Sequence, residues 1–104
     1  MHVLESTIER ACVLLANYYQ CKLIKIKAVK GFPDRMLLTP MGTVIFIEFK
    51  RPGEDLRPLQ AETQSRLQKM NFTSLVLTSK EDFKKFLQDL LHPNGSRTVT
   101  KKEV

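Results

Sequence analysis

Apolar residues recur at helical spacing through Leu4, Ile8, Ala11, Cys12 and Leu15. Residues 4 to about 19 are therefore expected to form an amphipathic helix. The period then shortens. Residues 22–29 mix lysines with Leu23, Ile24, Ile26 and Val29 in strand-like alternation, and Gly31 and Pro33 end the run. Met36-Leu37-Leu38-Thr39 reads as a second short strand, and Pro40-Met41-Gly42 has turn chemistry. Thr43 to Phe49, β-branched and aromatic, is the clearest strand. Arg51-Pro52-Gly53 closes it, with a loop to Leu56. Pro58 suits the first turn of a helix over roughly 58–70, with Leu59, Leu67 and Met70 as its apolar face. Ser74–Leu77 reads as a short buried strand. Thr78-Ser79-Lys80-Glu81 reads as a capping box, ahead of a helix with Phe83, Phe86, Leu87, Leu90 and Leu91 inward. The order αβββαβα predicts an α/β domain, a mixed sheet flanked by helices.

The chain has 104 residues, enough for one core. The pattern assigns 1–91 to one domain and the Ser/Thr/Lys-rich residues 92–104 to a loose polar tail. No apolar run approaches the ~20 residues that cross a bilayer, and Met1-His2-Val3-Leu4-Glu5 has no signal-peptide pattern; a cytoplasmic protein is expected. Cys12 and Cys21 suggest buried thiols rather than a disulfide framework or a zinc site. Neither a Gly-rich phosphate loop nor a Ser/His/Asp arrangement is visible. Tyr18 and Tyr19 are expected in the core, with a subunit contact as the alternative. The formal net charge is +6. Lys22, Lys25, Lys27, Lys30, Arg35, Lys50, Arg51 and Arg57 carry much of the excess, which suits a polyanionic partner as well as it suits a solvated sheet face.

The candidate chemistry lies where that charge concentrates. Side chains alternate faces along a strand, so Glu48 and Lys50 share a face at the end of an otherwise apolar segment. Glu48 at a frayed, solvated strand end is the bland alternative. A short connection through Pro40-Met41-Gly42 makes the two flanking strands antiparallel neighbours. Asp34, after Gly31 and Pro33, then lies opposite Glu48 and Lys50 rather than in an ordinary solvated turn. Mg²⁺ takes hard oxygen ligands and keeps several waters. Asp34, Glu48 and the main-chain carbonyl of Phe49 could hold one ion, and Lys50 could orient a water or offset charge on a phosphate.

Glu5, Gly31-x-Pro33-Asp34, Glu48-Phe49-Lys50 and Gln60, in this order of elements, resemble the VRR-NUC domain of the PD-(D/E)xK nuclease superfamily over about residues 3–91. The resemblance implies the restriction-endonuclease-like core and Mg²⁺- or Mn²⁺-dependent cleavage of DNA. The length looks like that of stand-alone phage and prophage members, which implies four-way (Holliday) junctions or other branched DNA as substrate and a bacterial host cytoplasm. It implies Asp34 and Glu48 as metal ligands, Lys50 as catalytic lysine, Glu5 as an acid near the metal, directly or through water, and Gln60 as a site-organising amide. On the helical wheel, at about 100° per residue, Glu5 borders the apolar stripe while Glu9 points further out. Glu5 also suits the helix dipole alone. Gln60 lies inward with Leu67, and Gln64 can face solvent. Arg35, Arg51, Lys30 and Lys27 are the expected DNA contacts. Symmetric cutting of a junction needs two sites, so a homodimer or higher symmetric oligomer is expected. The competing expectation is a nuclease-like scaffold that binds nucleic acid without cutting; the intact set Asp34, Glu48 and Lys50 speaks for the enzyme.

Overall fold

A computed structural model describes residues 4–27 and 29–92. Its elements are α1 (Glu5–Tyr18), β1 (Lys22–Lys25), β2 (Arg35–Leu38), β3 (Val44–Phe49), α2 (Pro58–Lys69), β4 (Thr73–Leu77) and α3 (Lys80–Leu91). The order is the αβββαβα that the hydrophobic pattern predicts. The strands form one mixed sheet in the order β1-β2-β3-β4. β1, β2 and β3 are antiparallel neighbours, and β4 runs parallel to β3 after the α2 crossover. The tail expected over 92–104 lies, beyond His92, outside the described residues. No described helix is long and apolar enough to cross a membrane.

The core fills one face of the sheet. Ile45, Ile47 and Phe49 of β3, Leu37 of β2 and Leu23 of β1 meet Ile8, Cys12 and Ala16 of α1 and Phe83 and Leu87 of α3, all buried. Both cysteines are free and buried as expected; burial pushes the Cys12 thiol up to about 12. The other face is mixed. Phe46 stacks edge-on with Phe32 and Phe72 at centroid distances of 5.8 and 5.4 Å, and beyond it come Glu48 and Lys50.

Several local expectations shift. β1 ends at Lys25, four residues short of the expected Val29, and Val29 is 57% exposed. One hydrogen bond, from Ile26 N to the Asp34 carbonyl at 2.8 Å, carries the pairing past the strand. The α3 cap falls one residue later than expected, with Ser79 Oγ accepting from Asp82 N at 3.0 Å. Tyr18 is 80% exposed, while Tyr19 packs on the core and its hydroxyl accepts from Gln88 at 3.2 Å. In α2 only Leu67 is fully buried. Leu59 instead covers Gly31, where a Cβ would stand 2.5 Å from Leu59 Cγ and φ is +85°. Only glycine fits that approach without strain.

Candidate active site

β3 ends in Glu48-Phe49, and Lys50 continues the parallel pairing by donating its N–H to the Leu77 carbonyl at 3.0 Å. Alternation sends Phe49 into the core and Glu48 and Lys50 to the opposite face, where both are buried, at 6% and 3% exposure. The solvated strand end is therefore excluded. The β2–β3 register pairs Arg35 with Ile47, which sets Asp34 beside Glu48 as the short turn predicts. Asp34 N donates to Glu48 Oε1 at 3.2 Å.

Gln60 closes the other side of Glu48. Its Nε2 donates to Glu48 Oε2 at 3.2 Å, and its Oε1 accepts from Arg57 N at 2.8 Å, capping α2. The side chain is thus fixed at both ends of its amide. Two further glutamines continue this row at one-turn intervals: Gln64 and Gln68 both donate to the Ser74 carbonyl, at 3.0 and 3.1 Å. Gln64 therefore points to the sheet, and the solvent-facing alternative fails. Ser74 is 3% exposed, and its hydroxyl has no partner among the described residues.

Two buried charges need compensation. Lys50 Nζ lies 4.0 Å from Glu48 Oε2 and 3.9 Å from a Glu54 carboxylate oxygen. Sequence reasoning missed Glu54. Pro52-Gly53 reverses the chain after Lys50, and Glu54 Oε1 accepts from Arg51 N at 2.9 Å; that Pro-Gly turn is the signal that could have found it. Burial, then the neighbouring Asp34 charge, pushes the Glu48 carboxyl up to about 7, and Lys50 opposes the shift. Glu5 is raised as well, chiefly by burial and then by Glu54. Glu54 is lowered, chiefly by the Arg51 N–H.

α1 corrects the wheel. Glu9, expected to point out, is only 7% exposed, whereas Leu4, placed in the apolar stripe, is 59% exposed. The buried face runs through Ile8, Glu9, Cys12 and Ala16, rotated away from Leu4 and toward Glu9. A partner from β2 makes this burial affordable: Arg35 Nε donates to Glu9 Oε1 at 2.8 Å, and Arg35 Nη1 to the Leu23 carbonyl at 3.4 Å. Arg35, an expected DNA contact, is thus engaged inside the fold. Glu9 joins Glu5 and Asp34 in a cluster, with one carboxylate oxygen from each lying within 4.8 Å of the others. Lys30 lines a cleft of about 240 Å³ together with Asp34, Arg57 and Gln60. Arg51 is half-exposed, with Nε 3.8 Å from Glu54. Lys27 is exposed.

The structure therefore gathers all five expected site residues at one end of the sheet, in two adjoining groups. Glu5, Asp34 and the unexpected Glu9 supply three hard oxygen donors at a spacing a small divalent cation can bridge. Glu48, Lys50 and Gln60 form a buried hydrogen-bonded set beside them, joined through the Asp34 N–H. The three carboxylates, one of them paired with Arg35, are hard oxygen donors of the kind a divalent cation takes.

No family model matches the chain. A solved structure described as a VRR_NUC domain aligns with it at a TM-score of 0.74, covering 85% of this chain and 95% of that chain at 20% identity. A protein named "Putative nuclease p44", from Acyrthosiphon pisum secondary endosymbiont phage 1, is 38% identical over 52 residues, or 50% of this chain and 56% of that protein. The chain thus spans little more than half the length of the curated relative it matches.

Proposed function

From the VRR_NUC fold that the chain carries, we propose that it is a Mg²⁺- or Mn²⁺-dependent DNA endonuclease of the VRR-NUC family. It hydrolyses phosphodiester bonds in branched DNA such as four-way junctions and acts as a homodimer or higher symmetric oligomer. The observation that carries the reading is the meeting of the Glu5, Glu9 and Asp34 carboxylates beside a buried Glu48–Lys50 pair. The phage nuclease similarity supports the same class of chemistry.

Asp34, Glu5 and Glu9 would hold the cation, with Glu48 and the Phe49 carbonyl as further oxygen donors. When bound there, a divalent ion would polarise the scissile phosphate and lower the pKa of a coordinated water. The chain's own residues do the positioning. Gln60 keeps Glu48 turned toward Asp34, because both ends of its amide are engaged. Lys50 brings a buried ammonium to the same place, where it orients the attacking water or meets the negative charge that develops on the phosphate. Lys30, which lines the cleft, and the exposed Lys27 and Arg51 would meet the backbone of the bound strand.

The test incubates the protein with a four-way junction, a linear duplex and a single strand, each with Mg²⁺, Mn²⁺ or EDTA. Metal-dependent cutting of the junction ahead of the other two supports the reading. Equal cutting of all three removes the preference for branched DNA, and no cutting above a Lys50→Ala control removes the enzyme. Light scattering that gives a monomer at working concentration removes the symmetric oligomer.

A further inference from the structure

The cleft beside Asp34 is not the one concavity that touches the acids. A pocket of about 400 Å³ opens on the α1 side of the sheet, lined by Ser6, Glu9, Arg10, Val13, Lys25 and Arg35. Three cations and a hydroxyl face a single carboxylate there. That carboxylate, Glu9, is buried under Arg35, whose Nε and Nη1 are both engaged, so the guanidinium plane is fixed. Lys25 is half-exposed, 3.9 Å from Glu9. Arg10 is exposed and makes no ion pair among the described residues. Nothing in the packing calls for Arg10, and Arg35 already neutralises Glu9. Arg10 is thus left to an outside anion, and Lys25, half-exposed and only 3.9 Å from an already paired Glu9, can join it. Glu9 also belongs to the Glu5–Asp34 cluster, so this basic pocket begins where the acids end. A polyanion with one phosphate at the acids would lay a neighbouring phosphate into it.

We propose that the pocket formed by Ser6, Arg10, Lys25 and Arg35 binds a backbone phosphate of the DNA strand beside the one that is cut. Arg10 and Lys25 contact it, and Arg35 is a positioning residue that holds Glu9 between the two sites. The proposal rests on the nuclease reading for the nature of the ligand, and it adds a second phosphate position on the α1 side.

Fluorescence anisotropy with labelled junction DNA in Ca²⁺, across a salt series, reads the pocket directly. The Arg10→Ala/Lys25→Ala protein should bind about tenfold or more weakly near 0.1 M salt, with a slope of log affinity against log salt shallower by about 1, as for one lost phosphate contact. Lys84→Ala/Lys85→Ala, on the exposed side of α3, serves as the control for general charge loss and should change affinity far less. In cleavage, the pocket variant should raise KM by more than it lowers kcat. An unchanged affinity and slope, or a loss equal to that of the α3 control, overturns the proposal. So does a wild-type protein that fails to bind DNA. If the pocket variant loses affinity while wild-type protein cuts no DNA, the pocket stands and the nuclease reading falls. If wild-type protein cuts and the pocket variant binds as tightly, the reverse holds.

Discussion

The two faces of β3, continued through Lys50, are built on opposite terms. Toward α1 and α3, Ile45, Ile47 and Phe49 are at most 3% exposed and join the apolar core, with Phe83 at a centroid distance of 6.1 Å from Phe49. Toward α2, Phe46 is followed by Glu48 and then Lys50, equally buried but held by hydrogen bonds and charge. The first face contributes stability by removing apolar surface from water. The second gives stability up, since buried charges cost free energy even when paired. Strand alternation lets a domain this small keep both within one strand's width, with the apolar face supporting the charged one.

That contrast can be broken from either side. The largest expected effect is on the apolar face. Phe83→Ala should destabilise the protein by about 3–5 kcal/mol, as for other fully buried aromatics; urea unfolding measures it, and a loss below 1 kcal/mol would mean that this face is not the stabilising one. Next comes pH. The folded, metal-free protein keeps the Glu48 proton up to about 7, above the ordinary 4.5 of the unfolded chain. Across that window the folded state binds more protons, so stability should fall as pH rises from about 4.5 through 7. Glu5, also raised, adds the same sign. Urea midpoints for wild type and Glu48→Gln at pH 5 and pH 8 check this; the variant should show the smaller difference. A smaller cost, about 1–2 kcal/mol, is expected for Gln60→Ala, which uncaps Arg57 N and strips a donor from Glu48. The smallest is Arg66→Ala. Its ion pair with Glu62 lies at 74% and 57% side-chain exposure, and thermal unfolding should show no measurable change.

The contrast also separates what the sequence could reveal from what it could not. β3 and the inward side of α3 were legible because period-2 and period-3.6 patterns are local. The meeting of Asp34 and Glu48 was legible because a short turn fixes an antiparallel register. Glu9 was not. Its burial depends on Arg35, twenty-six positions away in the chain, and α1's own apolar residues suggest a stripe rotated toward Leu4. Gln64 and Gln68 were hidden for the same reason, since their partner is a main-chain carbonyl on β4. Glu54 needed the path of the Pro52-Gly53 turn. Arg35 read as a surface cation until its carboxylate partner was in place. Polar groups buried by distant partners leave no periodic trace, and here they lie around the site rather than in the core.

In the proposed reaction at the end of β3, Lys50 acts on the phosphate and Asp34 on the metal. One side-by-side measurement addresses it: Mn²⁺ binding by calorimetry, junction binding in Ca²⁺, and junction cutting in Mn²⁺, for wild type, Lys50→Ala and Asp34→Ala. Lys50→Ala should abolish cutting while leaving Mn²⁺ and DNA binding largely intact, and Asp34→Ala should lose Mn²⁺ binding together with cutting. A Lys50→Ala protein that cuts at the wild-type rate, or an Asp34→Ala protein that binds Mn²⁺ unchanged, would contradict these roles.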